Sequence, residues 1–366
     1  MKILVTGGSG FIGSHLTDRL ATLGHEVVVL DQAAPDYPNP HASYLQRDIC
    51  GKLSDIGRMK FDCVYHLAAE VGSGLSMVDP AKFAKVNSYG TANLIEALRQ
   101  SWPMPRLIVA SSATVYGEAT YECREHGVFF PDLRPLERLE AGAWELQCPI
   151  CGRDAGAIGI VEDRPLRPAS VYGQSKLDTE VYSLLLGRSW GFPVIAFRPF
   201  AVFGPRQSLG NPYTGVLALF ATWVFAGQPI MHYEDGGQNK SYIYIDDAID
   251  LFVEALTNDR AVGRAFNMGT DEPLTIRGVA EKLVASINPA VPIICTGKYR
   301  ASDTRHMWPS LDLTKEFFDW RAKWSFDAGI AGLVDWLSGL PSTKIAESVD
   351  RFAKAEQHAR SFGMPV

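Results

Sequence analysis

The stretch Gly7-Gly8-Ser9-Gly10-Phe11-Ile12-Gly13 restricts the fold more than any other part of the chain. It follows Lys2 to Thr6, whose aliphatic and β-favouring residues read as a buried parallel strand, and it precedes a helical stretch, Ser14 to Leu23. Glycines at positions 7, 10 and 13 allow the backbone to turn tightly, approach a pyrophosphate closely and pack the helix on the sheet. The N-terminus of that helix then faces phosphate oxygens. A second strand, Glu26 to Leu30, ends in Asp31, a carboxylate suited to accept hydrogen bonds from an adenosine ribose and to repel a 2′-phosphate. The arrangement predicts a dinucleotide site that favours NAD over NADP. Ordinary glycines of an αβ turn are the alternative reading.

The alternation continues. Arg47-Asp48-Ile49 closes a third short strand, where Asp48 suits either an adenine amino group or a helix cap. A fourth strand, Cys63 to Leu67, runs into His66-Leu67-Ala68-Ala69, whose small residues let a cofactor lie flat over the strand end. His66 reads as a packed strand residue. A helix around Asn87 to Gln100 and a fifth strand, Leu107 to Ala110, complete the pattern of an α/β, doubly wound parallel sheet with its ligand at the carboxyl ends of the strands. A chain of 366 residues can bury a full core. With a formal charge of −6 and scattered Lys and Arg, no nucleic-acid partner is expected. The apolar run at the N-terminus is too short for a signal peptide or a membrane span, so a soluble, cytoplasmic protein is expected.

The fifth strand delivers Ser111-Ser112-Ala113-Thr114-Val115-Tyr116-Gly117, and Tyr172-Gly173-Gln174-Ser175-Lys176 follows after a long interval. In a helix, Tyr172 and Lys176 share one face. A free tyrosine has a pKa of about 10 and is a poor base near neutrality unless a cation stabilises its phenolate. Lys176 supplies that cation, and the Ser112 hydroxyl is placed to relay a proton. Tyr-x-x-x-Lys alone is common on surface helices; here it stands in an ordered set.

That set, TGGSGFIG, Asp31, HLAA, SSATVYG and YGQSK, resembles the extended short-chain dehydrogenase/reductase family, in its nucleotide-sugar epimerase branch. The resemblance covers about residues 1 to 340 and implies a catalytic set of Ser112, Tyr172 and Lys176. It also implies cofactor contacts from Gly7, Gly10, Phe11, Ile12, Gly13, Asp31, Asp48, Ile49, Leu67, Ala68, Ala69, Asn87, Ser111, Tyr172, Lys176 and Pro199. On this reading residues 1–198 form the Rossmann domain, 199–340 form a substrate lobe from which part of 236–260 returns to the Rossmann domain, and 341–366 form a helical tail. Substrate contacts are expected from Ser112, Ala113, Thr114, Asn211, Tyr213, Lys240 and Arg305. Lys240 stands where the family usually has arginine, so its phosphate contact would be a point charge rather than a fork.

An insertion, residues 120–163, carries Cys123-x-x-His126 and Cys148-Pro-Ile-Cys151-Gly152 and reads as a zinc-ribbon-like subdomain. Three thiolates and an imidazole suffice for a closed tetrahedral zinc site, and with no open position the role would be structural. A reduced loop with incidental cysteines is the competing reading. Cys50, Cys63 and Cys295 are isolated.

The expected reaction is NAD-dependent 4-epimerisation of a nucleotide sugar through a transient 4-keto sugar, with NAD tightly held. The insertion and the Gly204-Pro205-Arg206-Gln207-Ser208 and Asp303-Thr304-Arg305-His306 segments resemble the dTDP-L-rhamnose 4-epimerase group, so dTDP-L-rhamnose or a related dTDP- or UDP-sugar is the expected substrate. A 4,6-dehydratase is an alternative, but its acidic pair would fall at Ala113 and Thr114, which carry no carboxyl group. A ketoreductase and an NAD-binding sensor or scaffold are the others. The helices around Asn87 to Gln100 and from Tyr172 to Trp190 have apolar faces that pair across a two-fold axis in the family, implying a homodimer.

Overall fold

The computed structural model describes residues 1–209 and 215–361. Five strands come first: β1 (Lys2–Thr6), β2 (Glu26–Asp31), β3 (Ala42–Gln46), β4 (Cys63–His66) and β5 (Arg106–Ala110). They join Val194–Pro199 and Arg264–Met268 in a seven-stranded sheet ordered Arg264–Met268, Val194–Pro199, β5, β4, β1, β2, β3. Every pairing in it is parallel. Buried on both faces, β1, β2 and β5 read as near-continuous Val, Ile and Leu, as parallel strands do. The order reverses between β1 and β4, and at such a switch point the two flanking loops diverge to leave a ligand crevice.

The first helix, Phe11–Thr22, starts earlier than the glycine spacing suggests, because Gly10 serves as its N-cap. The helix expected from Asn87 begins as a wider turn, Ala84–Tyr89, and becomes regular over Gly90–Leu98. Beside it lies the long helix Val171–Trp190. Ser170 caps its start by accepting from the Gly173 N–H at 3.1 Å, and Gly191, in the left-handed conformation at φ 72°, ends it.

A buried arginine fixes this helix against the sheet. Arg198, on Val194–Pro199, makes two bonds to Glu180 (2.9 and 2.6 Å) and one to the Tyr116 hydroxyl (2.7 Å). Arg198 and Glu180 are 4% and 3% exposed, so both charges are desolvated and each depends on the other.

The second lobe holds the helix Val216–Phe225 and two short parallel pairs, Ala201–Phe203 with Tyr242–Tyr244 and Ile230–His232 with Ile293–Cys295. From this lobe the chain goes back to the sheet through the helix Ile245–Glu254 and the strand Arg264–Met268. Arg19 and Asp250, 2.7 Å apart, tie that helix to Phe11–Thr22. The insertion contributes a three-stranded antiparallel sheet, Gly127–Phe129, Thr120–Cys123 and Gly156–Ile158. The C-terminal helix spans Ser342–Ser361. Among the described residues no helix is long and apolar enough to cross a membrane.

Candidate active site

A cavity of about 850 Å³ opens at the carboxyl ends of the strands and reaches between the lobes. On the Rossmann side it is lined by Gly7, Gly10, Phe11, Ile12, Gly13, Asp31, Asp48, Ile49, Leu67, Ala68, Ala69 and Ser111. The glycines are needed for space. A Cβ on Gly7, which has φ +72°, would lie 2.6 Å from the Ala68 nitrogen, and one on Gly13 would lie 2.2 Å from the Gly7 carbonyl. Asp31 is held at the end of β2 by the N–H groups of Ser9 and Ala33, each at 3.0 Å. Asp48 accepts from the Cys50 N–H at 2.8 Å, so its carboxylate also caps the local turn.

Asn87 stands behind this wall. It is buried, accepts from the Glu70 N–H at 2.8 Å, and donates to the Glu70 carbonyl at 3.0 Å and to Ser175 Oγ at 2.8 Å. It therefore joins the loop after β4 to the Val171–Trp190 helix and does not line the cavity itself. His66 bridges Thr6 and Thr91 at 2.8 and 2.9 Å. Burial, with a smaller push from Lys176, pulls its imidazole down to about 3 and keeps it neutral and structural.

Ser112, Tyr172 and Lys176 meet in the same cavity, with Pro199, Ala113 and Thr114 alongside. Burial raises the Tyr172 phenol, and its hydrogen bond with Ser112 opposes that rise. Burial lowers Lys176 to about 8. Ser112 Oγ accepts from the Thr114 N–H at 3.2 Å and from the Thr114 hydroxyl at 2.9 Å, which fixes the serine at the start of its turn. Among the described residues the carboxylates in the wall are Asp31, Asp48, Glu70 and Asp303. None adjoins Ser112 in the chain.

On the second-lobe side the wall includes Tyr233, Gln238, Lys240, Arg300, Asp303 and Thr304. Lys240 Nζ donates to the Thr304 carbonyl and hydroxyl, both at 2.9 Å, and burial lowers its pKa.

Arg305, expected from sequence as the second phosphate cation, is corrected by the structure. Its guanidinium donates to Glu145 at 2.9 and 2.7 Å, to Asp235 at 2.7 and 3.0 Å, and to Glu234 at 2.9 Å. Each of its three nitrogens is engaged by a carboxylate, and it does not line the cavity. The cation in the wall on that segment is Arg300, which sequence reasoning passed over and which lies over the Tyr233 ring at 4.8 Å. Its nearness to the Asp303-Thr304-Arg305-His306 segment was the available signal. Asn211 and Tyr213, also expected as substrate contacts, lie outside the described residues.

In the insertion, Cys123, His126, Cys148 and Cys151 place their ligand atoms within 4.8 Å of one another. Cys123 and Cys148 Sγ each lie 3.5 Å from His126 Nδ1, and the Cys123 and Cys151 sulfurs are 3.8 Å apart. That separation is far beyond a disulfide bond of about 2 Å.

The chain belongs to the NAD dependent epimerase/dehydratase family, which matches it over residues 3–134 and 148–269. Within that class it is similar to the dTDP-L-rhamnose 4-epimerase of Burkholderia thailandensis, with 30% identity over 350 residues, 92% of this chain and 95% of the relative. Among solved structures it is similar to the UDP-glucose 4-epimerase of Thermus thermophilus in complex with NAD, with 28% identity and a TM-score of 0.73 over 93% of this chain and 100% of that one. It is also similar to the Thermotoga maritima UDP-glucose 4-epimerase with UDP-glucose, at 25% identity and a TM-score of 0.76 over 92% of this chain and 99% of that one.

Proposed function

We propose that this protein is an NAD-dependent nucleotide-sugar 4-epimerase acting on dTDP-L-rhamnose or a related dTDP- or UDP-sugar. The observation that carries the reading is the convergence of Ser112, Tyr172 and Lys176 on one cavity, between a dinucleotide-type glycine loop and a second-lobe wall bearing Lys240 and Arg300. NAD suits the cradle because Gly7 and Gly13 leave no room for a side chain and Asp31 is fixed where an adenosine ribose would lie. When bound, NAD supplies the hydride acceptor and donor.

The protein's own groups move the proton and hold the sugar. Tyr172 takes the proton of the sugar 4-hydroxyl, Ser112 relays it, and the Lys176 charge favours the phenolate form. The resulting 4-keto sugar has a planar carbon. If the ring turns within the cavity, the same carbon receives hydride on its other face and Tyr172 returns the proton. Lys240 and Arg300 stand in the second-lobe wall as cations suited to a diphosphate, so the sugar could reorient while its nucleotide stays held.

Dehydration is disfavoured because Ala113 and Thr114 offer no carboxyl acid or base beside Ser112. A sensor would not need all three members of the catalytic set. Incubating the protein with dTDP-L-rhamnose and with UDP-glucose and following the sugar signals by NMR should show the 4-epimer accumulating without added cofactor. A 6-deoxy-4-keto product, or no reaction with any dTDP- or UDP-sugar, would contradict the reading.

The insertion is read as a structural zinc centre. Zn–S bonds near 2.3 Å and Zn–N bonds near 2.0 Å in a tetrahedron set sulfur–sulfur and sulfur–nitrogen separations of about 3.8 and 3.5 Å, and the distances between these side chains agree. Purified protein is expected to carry one equivalent of zinc by elemental analysis, and chelation under reducing conditions is expected to lower its melting temperature. Protein without stoichiometric metal under reducing conditions would remove this centre.

A homodimer is read from the helical pair beside the active site, where Tyr89, Val181, Tyr182 and Leu185 are exposed. Light scattering should give twice the chain mass, and Tyr89→Glu combined with Leu185→Glu should give the monomer. A monomeric wild type would rule the pairing out.

A further inference from the structure

The insertion is fastened to the second lobe by charged side chains that do not themselves reach the cavity. Arg134 pairs with Glu234 through two bonds, 2.9 and 2.7 Å, and donates to the Asp303 carbonyl at 3.0 Å. Its side chain and that of Glu234 are 1% and 2% exposed. Glu145, just ahead of Cys148, accepts from Arg305 at 2.9 and 2.7 Å and lies 3.1 Å from His306 Nε2. Trp144 packs against Tyr299 with ring centroids 6.2 Å apart. The segments so held, 233–240 and 299–307, carry Tyr233, Gln238, Lys240, Arg300, Asp303 and Thr304 into the cavity wall. None of Arg134, Trp144, Glu145 or Arg305 lines it.

The cysteine–histidine cluster sits at the root of this contact. Leu146, between Glu145 and Cys148, is buried in one cluster with Tyr116, Tyr121 and Phe200. The Cys148 N–H donates to the Arg153 carbonyl at 2.8 Å, and the Ala155 N–H to the Leu146 carbonyl at 3.0 Å. A metal joining Cys123 and His126 to Cys148 and Cys151 would therefore fix the backbone that presents Glu145.

We propose that Arg134 and Glu145 are positioning residues through which the insertion, ordered by its metal centre, sets the second-lobe wall that receives the nucleotide diphosphate. The coupling runs from Arg134 and Glu145 through their ion pairs with Glu234 and Arg305, and from there along the backbone of 233–240 and 299–307 to the wall. The nature of the ligand rests on the epimerase reading; the mechanical link does not.

The test compares Glu145→Ala, Glu145→Gln and chelator-treated wild type with untreated protein. Glu145 is a suitable probe because its side chain is 40% exposed and Arg305 keeps Glu234 and Asp235 when it is removed. Glu145→Ala should raise KM for dTDP-L-rhamnose or UDP-glucose about tenfold, with kcat within about twofold and the NAD content unchanged. Glu145→Gln keeps an acceptor for Arg305 and should recover most of the KM. Amide hydrogen exchange should quicken across 299–307 in Glu145→Ala and after chelation, and stay unchanged across 2–31.

An unchanged KM, a glutamine variant no better than alanine, or unaltered exchange across 299–307 would overturn the proposal. Wild type that turns over neither sugar would count against the epimerase reading instead, and the exchange measurement would then decide the link by itself.

Discussion

Tyr172→Phe is expected to lower kcat by about 10²- to 10⁴-fold while leaving bound NAD and thermal stability unchanged. The Tyr172 hydroxyl is the group that takes and returns the sugar proton, and no other described side chain in the cavity replaces it. The packing of the ring should survive the change. It sits edge-on to Phe83 with centroids 6.2 Å apart, and the backbone N–H of residue 172 donates to Ser76 Oγ at 2.9 Å. Ser112 also keeps its two bonds from Thr114. Rapid-quench turnover together with the NAD content of the purified variant reads both outcomes. Activity within a fewfold of wild type would remove the phenol from the mechanism.

Lys176→Met is expected to abolish turnover and yet stabilise the NAD-free protein at neutral pH. Burial lowers Lys176 from its ordinary 10.5 to about 8, so the folded state binds its proton less tightly than the unfolded chain does. Below about pH 8 the lysine is protonated in both states and the folded protein bears the whole cost, about 3 kcal/mol. Between about 8 and 10.5 the folded lysine loses its proton while the unfolded one keeps it, and the penalty fades as pH rises. Urea unfolding of NAD-free wild type and variant should show the methionine protein ahead at pH 7, with the gap closing toward pH 10. A variant that is less stable at pH 7 would mean that the ammonium is satisfied by neighbours. The pairing of a stability cost with a catalytic need is typical of groups kept for chemistry.

The site was legible where its parts are local in sequence. Strand, glycine turn and helix are contiguous from Lys2 to Thr22 and Asp31 closes the next strand, so spacing places the turn and the carboxylate. Tyr172 and Lys176 share a helix face for the same reason. The close approach of Gly7 to Ala68, by contrast, comes from the end of a strand distant in sequence. Arg305 failed as a phosphate cation because Glu145, Glu234 and Asp235 reach it from distant parts of the chain, and no local pattern announces that neutralisation. Asn87 was placed beside the cofactor, whereas its amide is occupied by Glu70 and Ser175.

The strand Arg264–Met268 was hidden differently. It carries Asn267, a poor strand residue, yet that amide is buried and donates to the Ile160 carbonyl at 2.8 Å and the Ser310 carbonyl at 3.1 Å. Tertiary partners outweigh propensity there. The cysteine–histidine cluster shows the opposite case, since two short knuckles far apart in sequence come together as their spacing suggested.

The central claim, that one sugar carbon gives up its hydrogen as hydride and takes it back on the other face, can be tested by isotope. A dTDP- or UDP-sugar bearing deuterium on C4 is incubated with the protein in ordinary water, and the product is read by NMR and mass spectrometry. Retention of deuterium on C4 of the inverted product is the predicted result; replacement of that deuterium by solvent hydrogen would contradict it.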